Sequence, residues 1–470
     1  MTSQARPFDP DISMFGDEEI NLDEDTDLED EASEEDESNP IDLDETFIEL
    51  EDSPDSAFES DESQNDNPRI EIVGDGYDYL RVISEVRKAT AKKEVRNFLL
   101  QQVLMCMRPQ DYFESEAEFY QIGPYFEIPN YRIFQNVTFN SDFGIVPVHM
   151  DDAHKITIRL GDRRTRETWM RIMIIMKKIF KNLEDKQKTT KRALYYFLLS
   201  EPGANFTYEQ VDTTIEMIVA KLQIPRGDLG ILGTSKGLIT GNITFRMLSG
   251  GTFDCRDTGL IPNDVDDIAK IDIELHGRAL VIVVEKDAVY QRLLREEFLN
   301  VVRVQSMIDG VPQIDPIIIT AKGYPDLATR KLLRRLAYQD LPNADYYAFV
   351  DGDPHGYEIF TTYKYGSIAM AWCAEPLSVP ELEWIGVKPS EFEYLPDHHK
   401  RPLTVADQAK LDSINDREIF SPEHARELEL MDNLKVKVEI EDLPEISQYL
   451  WEYFEHLVDE AVEDDDRCEE

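Results

Sequence analysis

Carboxylates and tyrosines at particular spacings are the residues of this sequence that could do chemistry. The segment "VDGDPHGYEIF", residues 350–360, places Asp351 and Asp353 one residue apart, directly after an apolar and aromatic run. In an extended chain, residues i and i+2 point the same way, so both side chains can serve one site. Glu285 follows another apolar run, "RALVIVV". Acids at strand ends often only cap helices or turns, but three together favour a site for a hard cation such as Mg²⁺.

The adjacent tyrosines in "TKRALYYFL" are the second candidate. On a helix, residues four apart share a face, so Arg192 and Tyr196 lie together, whereas Tyr195 lies on a more apolar side. A nucleophilic phenol, whose ordinary pKa is about 10, needs a neighbouring cation or base. Arg192 supplies a positive charge that could also hold a phosphate. Tyrosine pairs in helices usually pack in a core, so from these residues alone both interpretations stay open.

Three predicted helices and a β-like segment surround the tyrosine pair. The helices are "TRETWMRIMIIMKKIFKNLED", "TTKRALYYFLLS" and "TYEQVDTTIEMIVAKLQ", with Thr189 or Thr190 as the N-cap of the second. The segment after them, "GDLGILGTSKGLITGNITFRML", favours a hairpin or wing. Residues 151–200 carry 13 basic against six acidic side chains. Three helices and a wing on a basic segment predict a winged-helix (CAP-like) DNA-binding domain.

From residue 278 short apolar runs alternate with helical segments. The runs are "RALVIVV", "PIIIT" and "YYAFV", and "KDAVYQRLLREEFLNVV" and "PDLATRKLLRRLAY" lie between them. This alternation predicts βαβ units and a Rossmann-like parallel sheet. Ligands of open α/β sheets bind at the carboxyl ends of the strands, where the three acids fall. The predicted fold class is α/β, with an α+β N-terminal part.

The net charge of −47 over 470 residues is concentrated at the two ends of the chain. Residues 1–70 carry 27 acidic side chains against two arginines, and residues 401–470 carry 22 against seven lysines and arginines. The first segment has no apolar periodicity, so we expect a disordered acidic tail. Such a tail could simply solvate the protein. It could also bind a partner, or mimic nucleic acid and compete for the basic residues.

The composition indicates a reducing intracellular compartment and gives no sign of a membrane segment. No run approaches the ~18 apolar residues of a membrane span, and the N-terminus has no apolar signal core. The four cysteines are scattered without a CxxC pair, which argues against structural zinc and a disulfide framework. No GxxxxGK[ST] loop occurs, so any ATP would have to be bound by another subunit.

Several motifs resemble one family. "VVEKDAVYQRLL", "GYPDLATRKLLRRL", "VDGDPHGYEIFTTYKYGS" and "WIGVKPSEF" are similar to the Toprim domain of the topoisomerase VI A-type chain, which belongs to the type IIB topoisomerases. They are equally similar to its eukaryotic relative, the transesterase that makes meiotic DNA double-strand breaks. "TTKRALYY" and "RGDLGILGTSKGLITG" resemble the family's catalytic winged-helix domain. The likeness covers about residues 85–400, in order, and does not extend to either acidic end.

The resemblance implies roles for particular residues. Tyr196 matches the nucleophile that becomes linked to the 5′ end of broken DNA, and Arg192 matches the arginine one turn before it. Glu285, Asp351 and Asp353 match the Mg²⁺-binding acids. The sixth site residue, Lys236, falls in a segment that lies near DNA in such proteins.

The pattern along the chain gives, together with the resemblance, an expected domain organisation, and the resemblance implies partners. The expected segments are the acidic tail (1–70), a packing or partner-binding region (71–150), the winged-helix domain (151–250), the Toprim domain (275–400) and an acidic helical region completing it (401–470). The expected partners are double-stranded DNA, a second copy of the chain, accessory break-formation proteins and a topoisomerase VI B-like subunit. The nucleus and its chromosomes are the expected location.

Three other functions stay open from the sequence. The first is the A-type chain of an ATP-dependent topoisomerase VI, which would relax and decatenate DNA with its partner subunit. The second is a DNA-binding scaffold that does no chemistry, and the third is a metal nuclease that leaves free 5′ phosphates. The long acidic tail favours a eukaryotic break-forming transesterase over a topoisomerase VI chain.

Overall fold

The computed structural model describes residues 76–455, except 142, 201–205, 309–312, 374–376 and 418–420. The tail predicted at 1–70 and the acidic end predicted at 463–470 lie outside the described residues. The described chain begins with a long helix, a short helix and four short strands. These elements are α1 (Gly76–Met107), α2 (Glu116–Ile122), β1 (Tyr125–Pro129), β2 (Val137–Asn140), β3 (Gly144–Pro147) and β4 (Lys155–Arg159). β1 pairs antiparallel with β4, and β2 with β3.

Three helices follow where the sequence predicts them. They are α3 (Arg166–Glu184), α4 (Lys191–Leu199) and α5 (Tyr208–Leu222), and β5 (Thr189–Thr190) precedes α4. Of the two candidate N-caps, Thr190 caps α4, because its hydroxyl accepts the Ala193 N–H at 3.1 Å. In α3, side chains three and four residues apart are buried, which turns one face of the helix into the core (Ile172, Ile175, Met176, Ile179).

The segment predicted to form a hairpin or wing differs in the structure. Its strands are β6 (Ile231–Leu232), β7 (Leu238–Thr240) and β8 (Ile243–Met247), and each belongs to a different sheet. β6 pairs in parallel with β5. The hairpin forms one strand later, between β8 and β9 (Thr252–Asp254). The glycines that allow this turn are Gly250 and Gly251, at φ +89° and +106°.

The largest sheet has six strands, and four of them are parallel. The preceding segment contributes β7 and, at the edge of the sheet, β10 (Gly259–Leu260), whereas β11 (Ile268–Ile273) pairs with β8 instead. The remaining elements, in chain order, are β12 (Arg278–Val284), α6 (Asp287–Arg295), α7 (Phe298–Ile308), β13 (Ile314–Thr320), α8 (Leu327–Arg335), β14 (Asp345–Phe349), α9 (Pro354–Lys364) and β15 (Glu383–Gly386). The strand order is β10–β7–β13–β12–β14–β15. The predicted parallel sheet is confirmed, and β12 lies inside it.

One predicted helix is two helices in the structure. The sequence indicates a single helical segment in "KDAVYQRLLREEFLNVV", but α6 ends at Arg295 and α7 begins at Phe298. Glu297, between them, has a left-handed backbone at φ +52°. This conformation breaks the run of helical hydrogen bonds. The amphipathic spacing continues on both sides of Glu297, so the sequence pattern does not show the break.

The C-terminal elements pack against the large sheet and its helices. They are β16 (Arg401–Pro402), α10 (Val405–Asn415), α11 (Pro422–Leu434), β17 (Val436–Lys437) and a helix whose described part spans 446–455. The two faces of the sheet bury separate hydrophobic clusters, around Val281 and Ile282. Helices α3 to α5 bury a third, which includes Leu194 of α4. The tyrosine-bearing helix and the acid-bearing strands thus belong to different cores.

Candidate functional site

Three acids meet at the carboxyl ends of two neighbouring strands. Glu285 follows β12, and Asp351 and Asp353 follow β14, which pairs in parallel with β12. The Asp351 N–H donates to Glu285 Oε2 at 2.8 Å. The three residues are only 8%, 5% and 8% exposed. The structure therefore brings together the three acids that the sequence singles out.

The backbone between the two aspartates is held closely. Asp353 is the N-cap of α9, and its Oδ1 accepts the Gly356 N–H at 2.7 Å. Gly352 exchanges backbone hydrogen bonds with Val438, at 2.8 and 3.2 Å. A Cβ on Gly352 would lie 2.7 Å from the Phe392 ring. The glycine is thus required by a close approach and not by its backbone angles.

Lys286 and the segment after β17 surround Asp351. Lys286 Nζ lies 2.9 Å from Asp351 Oδ2 and 3.1 Å from Glu439 Oε2. The Ile440 N–H donates to Asp351 Oδ1 at 2.8 Å. Sequence reasoning missed these residues. Lys286 could have been found, because it directly follows Glu285 in the sequence. Glu439 and Ile440 have no sequence feature that places them at the acids, because only the fold brings them there.

Burial and the neighbouring carboxylates disfavour ionisation of Glu285 and Asp351. Burial, and after it the charge of Asp351, raise the pKa of Glu285 to about 8. Burial raises the pKa of Asp351 to about 6, although the Lys286 ammonium opposes this shift. Burial alone would lower the pKa of Lys286, but Asp351 and Glu439 raise it above its usual range. A cation bound at the cluster would therefore favour the ionised forms of Glu285 and Asp351.

The donor set suits a hard cation, although the carboxylates are not arranged as ready ligands. Carboxylate oxygens are the ligands that Mg²⁺ prefers. One oxygen of Glu285 and one of Asp353 accept no hydrogen bond from the described residues. Both oxygens of Asp351 are engaged, by Lys286 and Ile440. Across the described ranges, no three His, Cys, Asp or Glu side chains are grouped as a metal site.

A second set of polar residues supports the acids from outside. Lys437 Nζ lies 2.9 Å from Asp407 Oδ2 and 4.0 Å from Asp353 Oδ2. His355 Nδ1 lies 3.3 Å from the Tyr324 hydroxyl, and its Nε2 is 3.7 Å from Asp407 Oδ1. His355 therefore links neighbouring elements beside the cluster.

Lys236 lies at the same edge of the sheet as the acids. It is exposed, and its Nζ donates to the Lys322 carbonyl at 3.2 Å. The next residue, Gly323, donates its N–H to the Glu285 carbonyl at 2.8 Å. One short loop therefore connects Lys236 to the acid cluster.

The tyrosine pair of α4 is divided between surface and core. Tyr196 is 57% exposed, and Arg192 one turn earlier is also exposed. Tyr195 is half-buried and packs with the hydrophobic cluster of α3 to α5, its ring 5.7 Å from that of Tyr208. These exposures agree with the prediction from helical spacing. Tyr196 is therefore the more accessible phenol.

The tyrosine and the acids are separate within one chain. Among the described residues, no hydrogen bond or ion pair joins Tyr196 or Arg192 to the acid cluster. The two groups also belong to different hydrophobic clusters. The tyrosine with Arg192 and the three acids are therefore two candidate half-sites. In the described part of the chain, no helix combines the length and apolarity needed to cross a membrane.

Two family models match the chain. The Toprim domain of the topoisomerase 6 A-chain/Spo11 family matches residues 280–456, which include the three acids and the segment after β17. A type IIB DNA topoisomerase model matches residues 167–231, which include the tyrosine pair.

Curated relatives are similar over most of the chain. The chain is 34% identical over 333 residues to the meiotic recombination protein SPO11 of Homo sapiens, covering 69% of this chain and 78% of the human protein. It is 32% identical to the protein of the same name from Mus musculus, with the same coverage. A third relative, meiotic recombination protein SPO11-2 of Oryza sativa subsp. indica, is 33% identical over 282 residues, covering 59% of this chain and 69% of the rice protein.

Proposed function

We infer, because the chain belongs to the topoisomerase 6 A-chain/Spo11 family, that it is a DNA-cleaving transesterase that forms the double-strand breaks initiating meiotic recombination. Two observations support the general activity. Both family models name topoisomerase domains, and the most similar relatives cited above are named meiotic recombination proteins. We place its action in the nucleus, on chromosomes.

Tyr196 is the proposed nucleophile. The Tyr196 oxygen attacks a backbone phosphorus, and the bond from phosphorus to the 3′ oxygen breaks. The 3′ oxygen takes up a proton and leaves as a hydroxyl. The product is a 5′-phosphotyrosyl link, so the energy of the phosphodiester is retained. The observation that carries this assignment is the 57% exposure of Tyr196 beside exposed Arg192, with Tyr195 turned toward the core. Arg192 would bind the attacked phosphate.

Glu285, Asp351 and Asp353 are the proposed holders of Mg²⁺. Their hard oxygen donors fit this ion, which would stabilise the ionised forms of Glu285 and Asp351. When bound, the ion supplies positive charge that stabilises a phosphate or anchors DNA. Lys236, at the same edge, would contact the DNA backbone. The neighbouring backbone N–H groups hold the carboxylates in position.

A complete cleavage centre requires two copies of the chain. Tyr196 and the acids do not touch within one chain, so we propose that the tyrosine of one copy works with the acids of another. A two-fold symmetric dimer then provides two centres, one for each DNA strand. In this proposal α3 to α5 and their strands act as the winged-helix domain, within the predicted bounds 151–250. Accessory break-formation proteins would assist, together with a topoisomerase VI B-like subunit.

Recovery of protein-linked DNA ends tests this function. From cells in meiosis that express the chain, we expect DNA ends covalently joined to the protein, with the link mapped to Tyr196 by mass spectrometry. Tyr196→Phe should abolish the links, and the matched variant Tyr195→Phe should retain them. Free 5′ phosphates without a protein adduct would identify a metal nuclease instead. Breaks that persist unchanged in Tyr196→Phe would refute the proposed nucleophile.

A further inference from the structure

The Lys286 side chain lies between two groups of carboxylates. Its Nζ is 2.9 Å from Asp351 Oδ2, 3.1 Å from Glu439 Oε2 and 3.8 Å from Glu441 Oε2. The side chain is 22% exposed, so these ion pairs are shielded from much of the solvent. A small rotation of the lysine would shift its ammonium group from Asp351 toward Glu439 and Glu441.

Both carboxylate oxygens of Asp351 already have a partner in the structure. Its Oδ1 accepts the Ile440 N–H at 2.8 Å, and its Oδ2 faces the lysine. Glu285 and Asp353 differ, because each keeps one carboxylate oxygen that accepts no hydrogen bond from the described residues. An ammonium group next to a carboxylate ligand also repels a divalent cation. The lysine and the ion therefore compete for Asp351.

The alternative acceptors are held in position without help from Lys286. Glu439 lies between Val438, which exchanges backbone hydrogen bonds with Gly352, and Ile440, which holds Asp351. Glu439 also pairs with Arg401. The displaced ammonium group would thus find carboxylates already in place.

We propose that Lys286 is a positioning residue that sets the affinity of the acid cluster for Mg²⁺. It neutralises Asp351 before the ion binds, and it transfers to Glu439 and Glu441 when the ion takes its place. This inference rests on the proposed function only in that the three acids hold Mg²⁺. It links metal loading to the segment 439–441, which the fold brings to the site from about 150 residues away in sequence.

Calorimetric titration of the full chain with Mg²⁺ tests the proposal without requiring cleavage. Lys286→Met removes the competitor, so we expect Mg²⁺ to bind roughly fivefold to tenfold tighter. Glu439→Gln removes one of the carboxylates that attract Lys286, so the lysine should pair more strongly with Asp351. We therefore expect Mg²⁺ to bind about threefold more weakly. The double variant should resemble Lys286→Met, because Glu439 acts through the lysine. Lys286→Arg keeps the charge and should bind Mg²⁺ close to the wild-type affinity.

Two matched variants separate direct competition from general electrostatics. Lys322→Met removes the same charge at the same sheet edge, where Lys322 pairs with Asp287 at 3.3 Å. Asp442→Asn removes a nearby acid that pairs with Arg401, at 2.9 Å. If these variants shift the affinity as much as Lys286→Met and Glu439→Gln do, the proposal is wrong.

A further variant distinguishes failure of this inference from failure of the metal site. Glu285→Gln should weaken Mg²⁺ binding whatever Lys286 does. If the wild type binds no Mg²⁺, or Glu285→Gln has no effect, the proposed metal site itself fails. If Glu285→Gln weakens binding but Lys286→Met leaves it unchanged, only the role of the lysine is refuted. Thermal unfolding of each variant verifies that it is folded.

Discussion

At the scale of single residues, one oxygen of each acid in the cluster accepts a backbone hydrogen bond. Glu285 accepts the Asp351 N–H, Asp351 accepts the Ile440 N–H, and Asp353 accepts the Gly356 N–H. A backbone hydrogen bond fixes one oxygen of each acid, and the other oxygen of Asp351 faces Lys286. An amide side chain can preserve the backbone hydrogen bond, since its carbonyl oxygen still accepts one, but it removes the negative charge.

We therefore predict that Asp353→Asn loses Mg²⁺ binding while keeping the fold. We expect Mg²⁺ at about 100 times its Kd to stabilise the wild type by about 2.7 kcal/mol and to leave the variant unchanged. Thermal unfolding with and without Mg²⁺ measures the difference. Asp326→Asn is the control, since Asp326 caps α8 through the Thr329 N–H at 2.9 Å but lies outside the acid cluster. An equal Mg²⁺ effect on Asp353→Asn and the wild type would contradict the prediction.

At the scale of elements, the C-terminal helices hold the helix that Asp353 begins. Glu358 of α9 is 6% exposed, and it accepts hydrogen bonds from Lys410 at 2.8 Å and Arg417 at 2.8 Å. The Tyr324 hydroxyl donates to it at 2.6 Å. Burial alone would raise the pKa of Glu358, but these hydrogen bonds lower it to about 2. The acidic C-terminal region is therefore part of the structure that fixes the site.

Glu358→Gln should destabilise the protein by about 3 kcal/mol at neutral pH, because it leaves the partly buried cations Lys410 and Arg417 without their carboxylate. The pKa of Glu358 is lower in the folded state, so its contribution is present above the ordinary carboxyl range and is lost as pH falls toward about 2. The difference in free energy of unfolding between wild type and variant should therefore narrow as pH falls. Denaturant unfolding at several pH values measures it. Glu429→Gln, an exposed position on α11, should change stability little.

At the scale of the whole molecule, the described chain presents a tyrosine and an acid cluster built on different cores. α4 packs with the cluster of α3 to α5, and the acids follow strands of the large sheet. Rigid cores hold each half-site in place, but neither completes the other within one chain. In the proposed arrangement, pairing of two chains controls cleavage, because an unpaired chain would have no complete centre.

A mixing experiment tests this requirement. Tyr196→Phe and Asp353→Asn chains should each fail to cleave, but their heterodimer has one centre with an intact tyrosine and intact acids. We therefore expect the mixture to nick one DNA strand and form a covalent link to the Asp353→Asn chain. Sedimentation and denaturing gels of the linked DNA measure this outcome.

The matched control places both substitutions in one chain and mixes it with wild type. If each centre takes its parts from two chains, both centres of that heterodimer are defective and only wild-type dimers cleave. If each centre lies within one chain, this heterodimer should nick, and the first mixture should be inactive. The two arrangements therefore give opposite patterns.

The sequence by itself determined the elements and the half-sites. Short apolar runs such as 279–284 that alternate with helical segments indicate buried strands, and acids directly after parallel strands share one edge of the sheet. Helical spacing was enough to place Tyr196 outside and Tyr195 inside. These features are local, since each depends on a few neighbouring residues, and they could be predicted without the fold.

Only the tertiary structure decided what lies between and around those half-sites. The left-handed residue Glu297 breaks a segment that is helical by spacing, and the strands of the predicted wing join three sheets. Asp351 is contacted by Lys286 and by Ile440, and Glu439 contacts Lys286 there, although Lys286 and the segment 439–440 are both distant from Asp351 in sequence. Their meeting depends on how the C-terminal segment packs along the sheet edge. Such long-range pairing leaves no periodic trace in the sequence, so it became visible only in the folded chain.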